Sequence, residues 1–170
     1  MRVLAFLTTA LLAAPFGALA APVTGTVTHV PSRIRLGVVE GRGPAVVTPP
    51  PCQPMTPAPT EDETKARFEK FAHAFLETKN LTEAFSYISS TYKNHNPMAK
   101  DGPASALDIL GPVWPTVTIT PLRRTFKGNM GWLDYRASGL GEVVDRYRWE
   151  AGCIVEHWDQ GEKYPTTTSR

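Results

Sequence analysis

The sequence predicts one α+β domain, in which helices come first and an antiparallel β meander follows. Two observations carry this prediction. Apolar residues recur at helical spacing between residues 61 and 110, and β-branched and aromatic residues form strand-like runs from residue 117 onward. The chain has 170 residues, which suits a single domain once an N-terminal leader is set aside.

Recognisable caps predict where each helix begins. The capping box Thr60–Glu63 begins a first helix near 62–79, and the Asn80–Glu83 pair begins a second near 81–91. Gly102-Pro103 places a proline in the first turn of a third helix near 103–111, which Pro112 and Pro115 are expected to end. The stretch 92–100 is too polar to belong to the core.

The second half of the domain is predicted to be a sheet over 116–160. A proline at position 121 marks the first strand as an edge strand or the site of a bulge, and Gly128 to Gly131 make a turn. The predicted strands are 117–126, 132–137, 142–149 and 153–159. No internal repeat is visible.

The N-terminal third differs from the rest of the chain. Arg2, the apolar run 3–14 and Ala18-Leu19-Ala20 predict a signal peptide at 1–20, and hence a secreted, extracellular protein. Seven of the sixteen prolines lie between 44 and 59, so 21–60 is predicted to be an extended or disordered arm. The domain is assigned to 61–165 and a flexible tail to 166–170. Whether 24–47 are ordered, a propeptide or a gene-model error stays open.

The two cysteines are interpreted in the light of this predicted secretion. In an oxidising compartment an isolated pair, Cys52 and Cys153, is expected to form one disulfide. No CxxC pattern occurs in the sequence, so no metal is assigned. The net charge of +2 and the lack of a basic stripe argue against nucleic acid as a partner. Asn80-Leu81-Thr82 is a sequon, so Asn80 is a glycosylation candidate or a plain helix cap.

Two segments are distinctive. One is Tyr92-Lys93-Asn94-His95-Asn96-Pro97, followed by Asp101-Gly102, and the other runs from Val144 to Asp159 and contains Asp-Arg-Tyr-Arg, Gly-Cys-Ile and Glu-His-Trp-Asp. Together they resemble the SnoaL-like (polyketide-cyclase-like) family of the nuclear-transport-factor-like superfamily. The resemblance covers about 67–159.

This resemblance implies a cone, in which a curved antiparallel sheet wraps about three helices around one central pocket. The superfamily includes isomerases, cyclases, dehydratases and epoxide hydrolases as well as plain binding proteins, so the fold does not decide the function. The chain departs from the family pattern at Cys153, where relatives often have Lys, and at Asp134, where they often have His.

Strand alternation brings candidate catalytic residues together. Asp145, Tyr147 and Trp149 share one face of their strand, and His157 and Asp159 share one face of the next. A three-residue hairpin loop over 150–152 would pair Asp145 with His157 and Trp149 with Cys153. A two-residue turn would instead pair Glu150 with Cys153 and separate Asp145 from His157.

The resulting candidates suit general acid–base chemistry without a cofactor. Asp145 would hold the His157 ring, Asp159 would exchange a proton with an enolisable carbon, and His95 would polarise a carbonyl or hold a water. The remaining candidates are aromatic or amide side chains expected to contact a ligand: Asn96, Tyr92, Tyr147, Trp149, Trp114 and Trp158.

Three functions remain open at this point. The first is a secreted cofactor-free isomerase, cyclase or lyase acting on a small apolar carbonyl compound. The second is a non-catalytic ligand carrier with the same pocket. The third is an interaction protein that dimerises through the outer sheet face, with its pocket filled by its own Trp and Tyr side chains. No nucleophile elbow, P-loop, HExxH or Rossmann glycine pattern occurs in the sequence.

Overall fold

The computed structural model describes residues 46–166. The predicted signal peptide at 1–20, the predicted arm as far as residue 45 and residues 167–170 of the predicted tail lie outside the described residues. Among the described helices, none is both long enough and apolar enough to cross a membrane.

The three helices begin at the predicted caps. Helix α1 (Glu61–Ala72) starts with a complete capping box and continues into a π-helical turn, His73–Glu77. Helix α2 (Leu81–Phe85) starts at Asn80, whose side chain accepts from the Glu83 N–H. Helix α3 (Pro103–Val113) starts after Gly102, where φ is 90°. Pro112 lies inside α3 and does not end it, contrary to prediction.

The prediction of one helix over 81–91 is wrong. Helix α2 ends at Phe85, and strand β1 (Ile88–Asn94) follows almost at once. Its Tyr92 is only 3% exposed, so the expectation that the whole 92–100 stretch lies outside the core is also wrong. The reason is that β1 pairs in parallel with a strand far along the chain, Ile88 with Ile154, and no local pattern reveals such a partner.

Four further strands form the predicted antiparallel meander. The five strands make one curved, open sheet in the order β1-β5-β4-β3-β2, so β2 is an edge strand as Pro121 indicated. A register shift between Pro121 and Arg123 confirms the predicted irregularity. The strands are β2 (Ile119–Lys127), β3 (Met130–Ala137), β4 (Gly141–Glu150) and β5 (Cys153–Trp158). The α+β fold class is therefore confirmed.

The helices cover one face of the sheet, here called the inner face. Phe71 of α1 contacts Tyr147 of β4 edge-on, with ring centroids 4.9 Å apart, and Trp149 packs among the same rings. Phe75 stacks on Trp114 at 4.5 Å. These aromatic contacts form a continuous apolar core and fix which side chains of β4 and β5 point inward.

The other face of the sheet, here called the outer face, carries the disulfide and the segment that follows β5. The predicted disulfide is confirmed: Cys52 and Cys153 are bonded, with Cα atoms 5.8 Å apart. Close to this bond, the backbone N–H of Met55 donates to the carbonyl of Ala151 at 2.9 Å. At the C-terminal end, Glu162 pairs with Arg146 at 2.9 Å, so the segment after β5 folds back toward β4.

Candidate functional site

The β4–β5 hairpin has the two-residue turn that the sequence left open as an alternative, but not the register expected to follow from it further along the strands. Its turn is the two-residue Ala151-Gly152, both with positive φ (45° and 82°), and Glu150 pairs with Cys153. The predicted pairing of Trp149 with Cys153 and of Asp145 with His157 is therefore wrong. Between Arg148 and Trp149 the register shifts, so that Tyr147 pairs with His157.

This bulge brings the predicted side chains together despite the changed register. Val155 is the extra residue, because Trp149 pairs with Ile154 whereas Arg148 pairs with Glu156. Opposite residues lie on the same face of a sheet, so His157 points to the inner face with Tyr147 and, two residues away, Asp145. The Nε2 atom of His157 lies 3.2 Å from Oδ1 of Asp145.

Asp145 is the most heavily bonded carboxylate of this cluster. Its Oδ2 atom accepts the hydroxyl of Tyr135 at 3.0 Å and that of Tyr147 at 3.1 Å, while Oδ1 faces His157. The residue is 3% exposed. Its two oxygens thus contact three neighbouring side chains, which Asp145 holds in place.

Both ring nitrogens of His157 face oxygen acceptors. Nδ1 lies 3.3 Å from Oδ1 of Asn94, and that oxygen is identified as the acceptor because it already takes the backbone N–H of Asn96. The ring is also stacked between Tyr147, at 4.7 Å between centroids, and Tyr92, at 6.5 Å, which fixes its plane.

Asp159 is bonded on one side only. Its Oδ2 atom accepts from the side-chain amide of Asn96, whereas Oδ1 is buried and has no hydrogen-bond partner. One ligand atom from each of Asp145, His157 and Asp159 lies within 4.8 Å of the others. Asp159 Oδ1 is thus the atom of the cluster that is free to accept a proton.

The tyrosines around the cluster stay protonated. Burial, and then the negative charge of Asp145, raises the pKa of the Tyr147 hydroxyl well above its ordinary value, and the same causes act on Tyr135. Burial also raises the pKa of Tyr92, helped by the charges of Asp145 and Asp159. All three hydroxyls are therefore hydrogen-bond donors across the neutral pH range.

The same three residues are the set within the described range that could hold a metal ion. Two carboxylates and an imidazole are common ligands of divalent cations. Here, however, Asp145 and His157 already bond to one another and Asp145 bonds to two tyrosines. We therefore describe the cluster as a hydrogen-bonded network and assign no metal to it.

His95 and Trp158 do not join the cluster. His95 Nε2 lies 2.8 Å from Glu156, and its ring stacks on Trp158 with centroids 4.8 Å apart. The guanidinium of Arg146 lies 4.2 Å from the Trp158 ring. Because Glu156 and Trp158 flank the inward-facing His157, this group lies on the outer face. The structure thus separates two predicted site residues from the rest.

The other predicted ligand-binding residues divide between the cluster and the core. Tyr92 and Tyr147 flank His157, and Asn96 bonds to Asp159, so these three lie at the cluster. Trp114 is 2% exposed and donates its indole N–H to the carbonyl of Phe75, and Trp149 is 1% exposed within the aromatic core. Both tryptophans are therefore core residues. Glycosylation of Asn80 stays a prediction, for an exposed residue that caps α2.

Two residues of the network were not singled out from the sequence. Asn94 lies in the Tyr92–Pro97 motif, two residues after Tyr92. In a strand this spacing places both side chains on the same face, so it could have identified Asn94. Tyr135 is on the same face of β3 as Leu133, which pairs with Asp145. Only the pairing between β3 and β4 shows that its hydroxyl meets that carboxylate.

Two cavities of the described chain lie away from the cluster. One, of about 320 Å³, is on the outer face beside the disulfide, where it is lined by residues of β1, β4 and β5. The other, of about 360 Å³, lies between α3 and the start of the described chain, next to Val46. On the inner face near the cluster, the chain's own aromatic rings fill much of the space.

Comparison with known proteins gives similarity of fold. No protein-family model and no curated protein matches the chain. Solved structures that resemble it include AclR, a proposed hydroxylase from Streptomyces galilaeus (15% identity, 59% of this chain and 89% of that chain, TM-score 0.49). Another is an NTF2-like protein of unknown function from Cytophaga hutchinsonii (20% identity, 56% and 87%, TM-score 0.47).

A third similar structure is a proposed ketosteroid isomerase from Kribbella flavida (15% identity, 65% of this chain and 96% of that chain, TM-score 0.47). NTF2-like proteins are thus among the solved structures to which this chain is similar in fold. At these identities and scores the neighbours carry no argument about the chemistry of this chain.

Proposed function

We propose that the inner-face cluster is a proton-transfer site, and that the protein is a secreted, cofactor-independent isomerase, cyclase or lyase acting on a small apolar carbonyl compound. The observation that carries the proposal is the free Oδ1 atom of Asp159. It is buried and has no hydrogen-bond partner, and a carboxylate oxygen of Asp159 lies within 4.8 Å of ligand atoms of both His157 and Asp145. Buried polar atoms without partners are rare, and a functional role is one established reason for retaining them.

The hydrogen bonds support a division of roles. Asp159 takes a proton from the carbon next to the substrate carbonyl; the C–H electron pair forms a carbon–carbon double bond, and the carbonyl π electrons move to oxygen. Asp159 then returns the proton to another atom of the enolate. Asp145 already accepts from two tyrosines, so it positions His157 and does not act as the base.

Tyr92 is the proposed donor to the enolate oxygen. Its raised pKa keeps the hydroxyl protonated, and it is not among the tyrosines that donate to Asp145. A donor placed where negative charge develops stabilises the transition state more than the ground state. The aromatic rings beside the cluster suit an apolar substrate body.

The proposal of secretion rests on the sequence and on the disulfide. The 1–20 leader pattern predicts export, and the bond between Cys52 and Cys153 is of the kind that persists in oxidising compartments. A small apolar ligand is the proposed partner, and homodimerisation through the outer face remains a proposal.

A second candidate function is supported by the aromatic packing of the inner face. Tyr135, Tyr147 and Trp149 occupy much of the space that a pocket would need. A non-catalytic carrier or interaction protein would use Asp145 and His157 only to hold the last hairpin in place. In that case removing the charge of Asp159 would change stability and no reaction rate.

Deuterium exchange into simple ketones tests the proposed proton transfer directly. The purified protein is incubated in D₂O with cyclohexanone, 3-cyclohexenone and acetophenone, and loss of the α-hydrogen signal is followed by NMR. We expect exchange faster than in buffer for at least one ketone. Asp159→Asn should slow it by about 10²-fold or more, because the amide cannot accept the proton.

Asp108→Asn is the matched control, since Asp108 is an exposed aspartate on α3 outside the cluster. This variant should exchange as fast as the wild type. Exchange no faster than in buffer for all three ketones, or equal rates for wild type and Asp159→Asn, would contradict the proposed function. The folded state of each variant is checked by circular dichroism.

A further inference from the structure

The cavity on the outer face beside the disulfide is partly lined by polar side chains. Its volume is about 320 Å³, and its lining includes Lys93, Arg148, Ser89, Thr91 and Val155. We propose that this cavity binds a small organic carboxylate with a short apolar tail. It lies on the face of the sheet opposite the Asp145–His157 cluster, so this proposal does not depend on the proton-transfer function.

Lys93 supplies the free positive charge. It stands opposite Glu156 in the β1–β5 register, where an ion pair would ordinarily be expected. Both oxygens of that carboxylate are already taken, however: Oε1 by His95 at 2.8 Å and Oε2 by Arg148 at 2.8 Å. Within residues 46–166 no carboxylate lies within ion-pair distance of Lys93, which leaves its ammonium available to an anion from solution.

The groups around Lys93 are mainly donors. The hydroxyls of Ser89 and Thr91 lie 3.0 Å from one another along β1, and Ser89 is only 6% exposed. Arg148 uses Nε for Glu156 and Nη1 for Glu150, so its Nη2 remains to donate. With Lys93 and Arg148 against Glu150, the lining has an excess of one positive charge. Hydroxyls beside a cation are a usual combination for binding an oxyanion.

The rest of the lining is apolar, which indicates that the part of the ligand beyond its carboxylate is apolar too. Cys153, Val155, Pro54 and Ala151 form the part of the wall next to the disulfide. A sulfate or phosphate ion would leave this surface uncovered, whereas a short hydrocarbon chain would cover it. The volume is at the small end of the range for ligand sites, so the ligand has few carbon atoms.

Hexanoate is the probe for this site, with 1-hexanol and hexylamine as probes of equal length that lack the negative charge. Each is titrated into the ¹⁵N-labelled full-length protein, and amide shifts of Ala151 and Val155 are followed. We expect saturable shifts with hexanoate at millimolar concentration, and at least tenfold weaker binding of 1-hexanol and hexylamine. A charge-assisted hydrogen bond is worth about a factor of ten in affinity.

Two variants assign the binding to these side chains. Lys93→Met should weaken hexanoate binding by about tenfold and Thr91→Val by a smaller factor. Lys65→Met, on the exposed side of α1, should leave it unchanged. The proposal is overturned if hexanoate causes no saturable shift, if hexylamine binds as well as hexanoate, or if Lys93→Met and Lys65→Met have the same affinity.

Discussion

Replacing Asp145 by Asn tests whether this carboxylate sets the protonation of the His157 ring. In the wild type, Oδ1 of Asp145 faces Nε2 of His157, so Nε2 carries a hydrogen. In Asp145→Asn, the amide oxygen can still accept hydrogen bonds from both tyrosine hydroxyls only if the NH₂ group faces His157. The ring then has to accept on Nε2 and donate from Nδ1 to Asn94, which lies 3.3 Å away.

The cost of this change follows from the bonds to Asp145. The hydroxyls of Tyr135 and Tyr147 lose an ionised acceptor and gain a neutral one. Hydrogen bonds to charged groups contribute about 1.5–3 kcal/mol and neutral ones about 0.5–1.5 kcal/mol. We therefore expect the free energy of unfolding to fall by about 2 kcal/mol, since each of the two bonds loses about 1 kcal/mol.

Two measurements check this prediction. Histidine ring ¹⁵N spectra report which nitrogen carries the hydrogen, with the His157 signals assigned by comparison with His157→Gln. Urea unfolding, followed by tryptophan fluorescence, gives the change in stability. Asp134→Asn is the matched control, because Asp134 is 1% exposed and pairs with Arg123 at 2.7 Å but lies on the outer face.

The control should lose stability and leave the His157 ring unchanged. The reasoning is refuted if Nε2 keeps its hydrogen in Asp145→Asn, or if both variants alter the ring equally. A loss of stability below about 0.5 kcal/mol would show that the tyrosine bonds gain nothing from the charge of Asp145.

Three other variants test the hairpin and the elements bound to it. C52A/C153A removes the disulfide, which links residues 101 positions apart. In the chain-entropy model the free energy of unfolding, measured in urea, should fall by about 4.7 kcal/mol. A fall of less than about 1 kcal/mol would refute that model here. The hydrogen bond from His95, with a smaller effect of Arg148, lowers the pKa of Glu156 in the folded protein. Glu156→Gln should therefore lower the free energy of unfolding most at a pH above the ordinary pKa of glutamate, and progressively less as the pH falls through the lowered pKa of Glu156. A loss of stability that does not depend on pH would contradict this prediction. Ala151 has a φ of 45°, which glycine adopts more easily than alanine. Ala151→Gly should therefore increase the free energy of unfolding by up to about 1 kcal/mol and raise the melting temperature. A lower melting temperature would show that this turn is not strained.

The features that were predicted correctly from the sequence depend on nearby residues or on general chemistry. The capping box at Thr60 and the cap at Asn80 need only three following residues to form. Pro121 marked the edge strand, because proline cannot donate to a sheet ladder. The disulfide was predicted from cysteine count and compartment, although the two cysteines lie 101 residues apart.

The errors lie where a distant partner decides the local structure. The spacing of Leu81, Phe85 and Ile88 continues a helical pattern, but pairing with β5 converts the last of these into the start of β1. The same pairing carries Tyr92 into the core and directs His95 to the outer face, beside Glu156. A single sequence contains the alternation of β1 but not the partner that determines which face is inside.

Parity of the hairpin, and not its exact register, determines which side chains meet in the candidate site. A regular two-residue turn at Ala151-Gly152 would place Asp145 opposite Trp158, on the wrong face for His157. The extra residue Val155 moves the pairing by one, so that Tyr147 meets His157 and Asp145 reaches the same ring. Beyond the bulge, the predicted three-residue loop differs from this arrangement by two residues, an even number, and an even shift keeps Asp145, Tyr147 and His157 on their predicted face. The Asp145–His157 contact was therefore predicted correctly only because the bulge at Val155, which the sequence did not reveal, restores the alternation that the two-residue turn alone would have reversed.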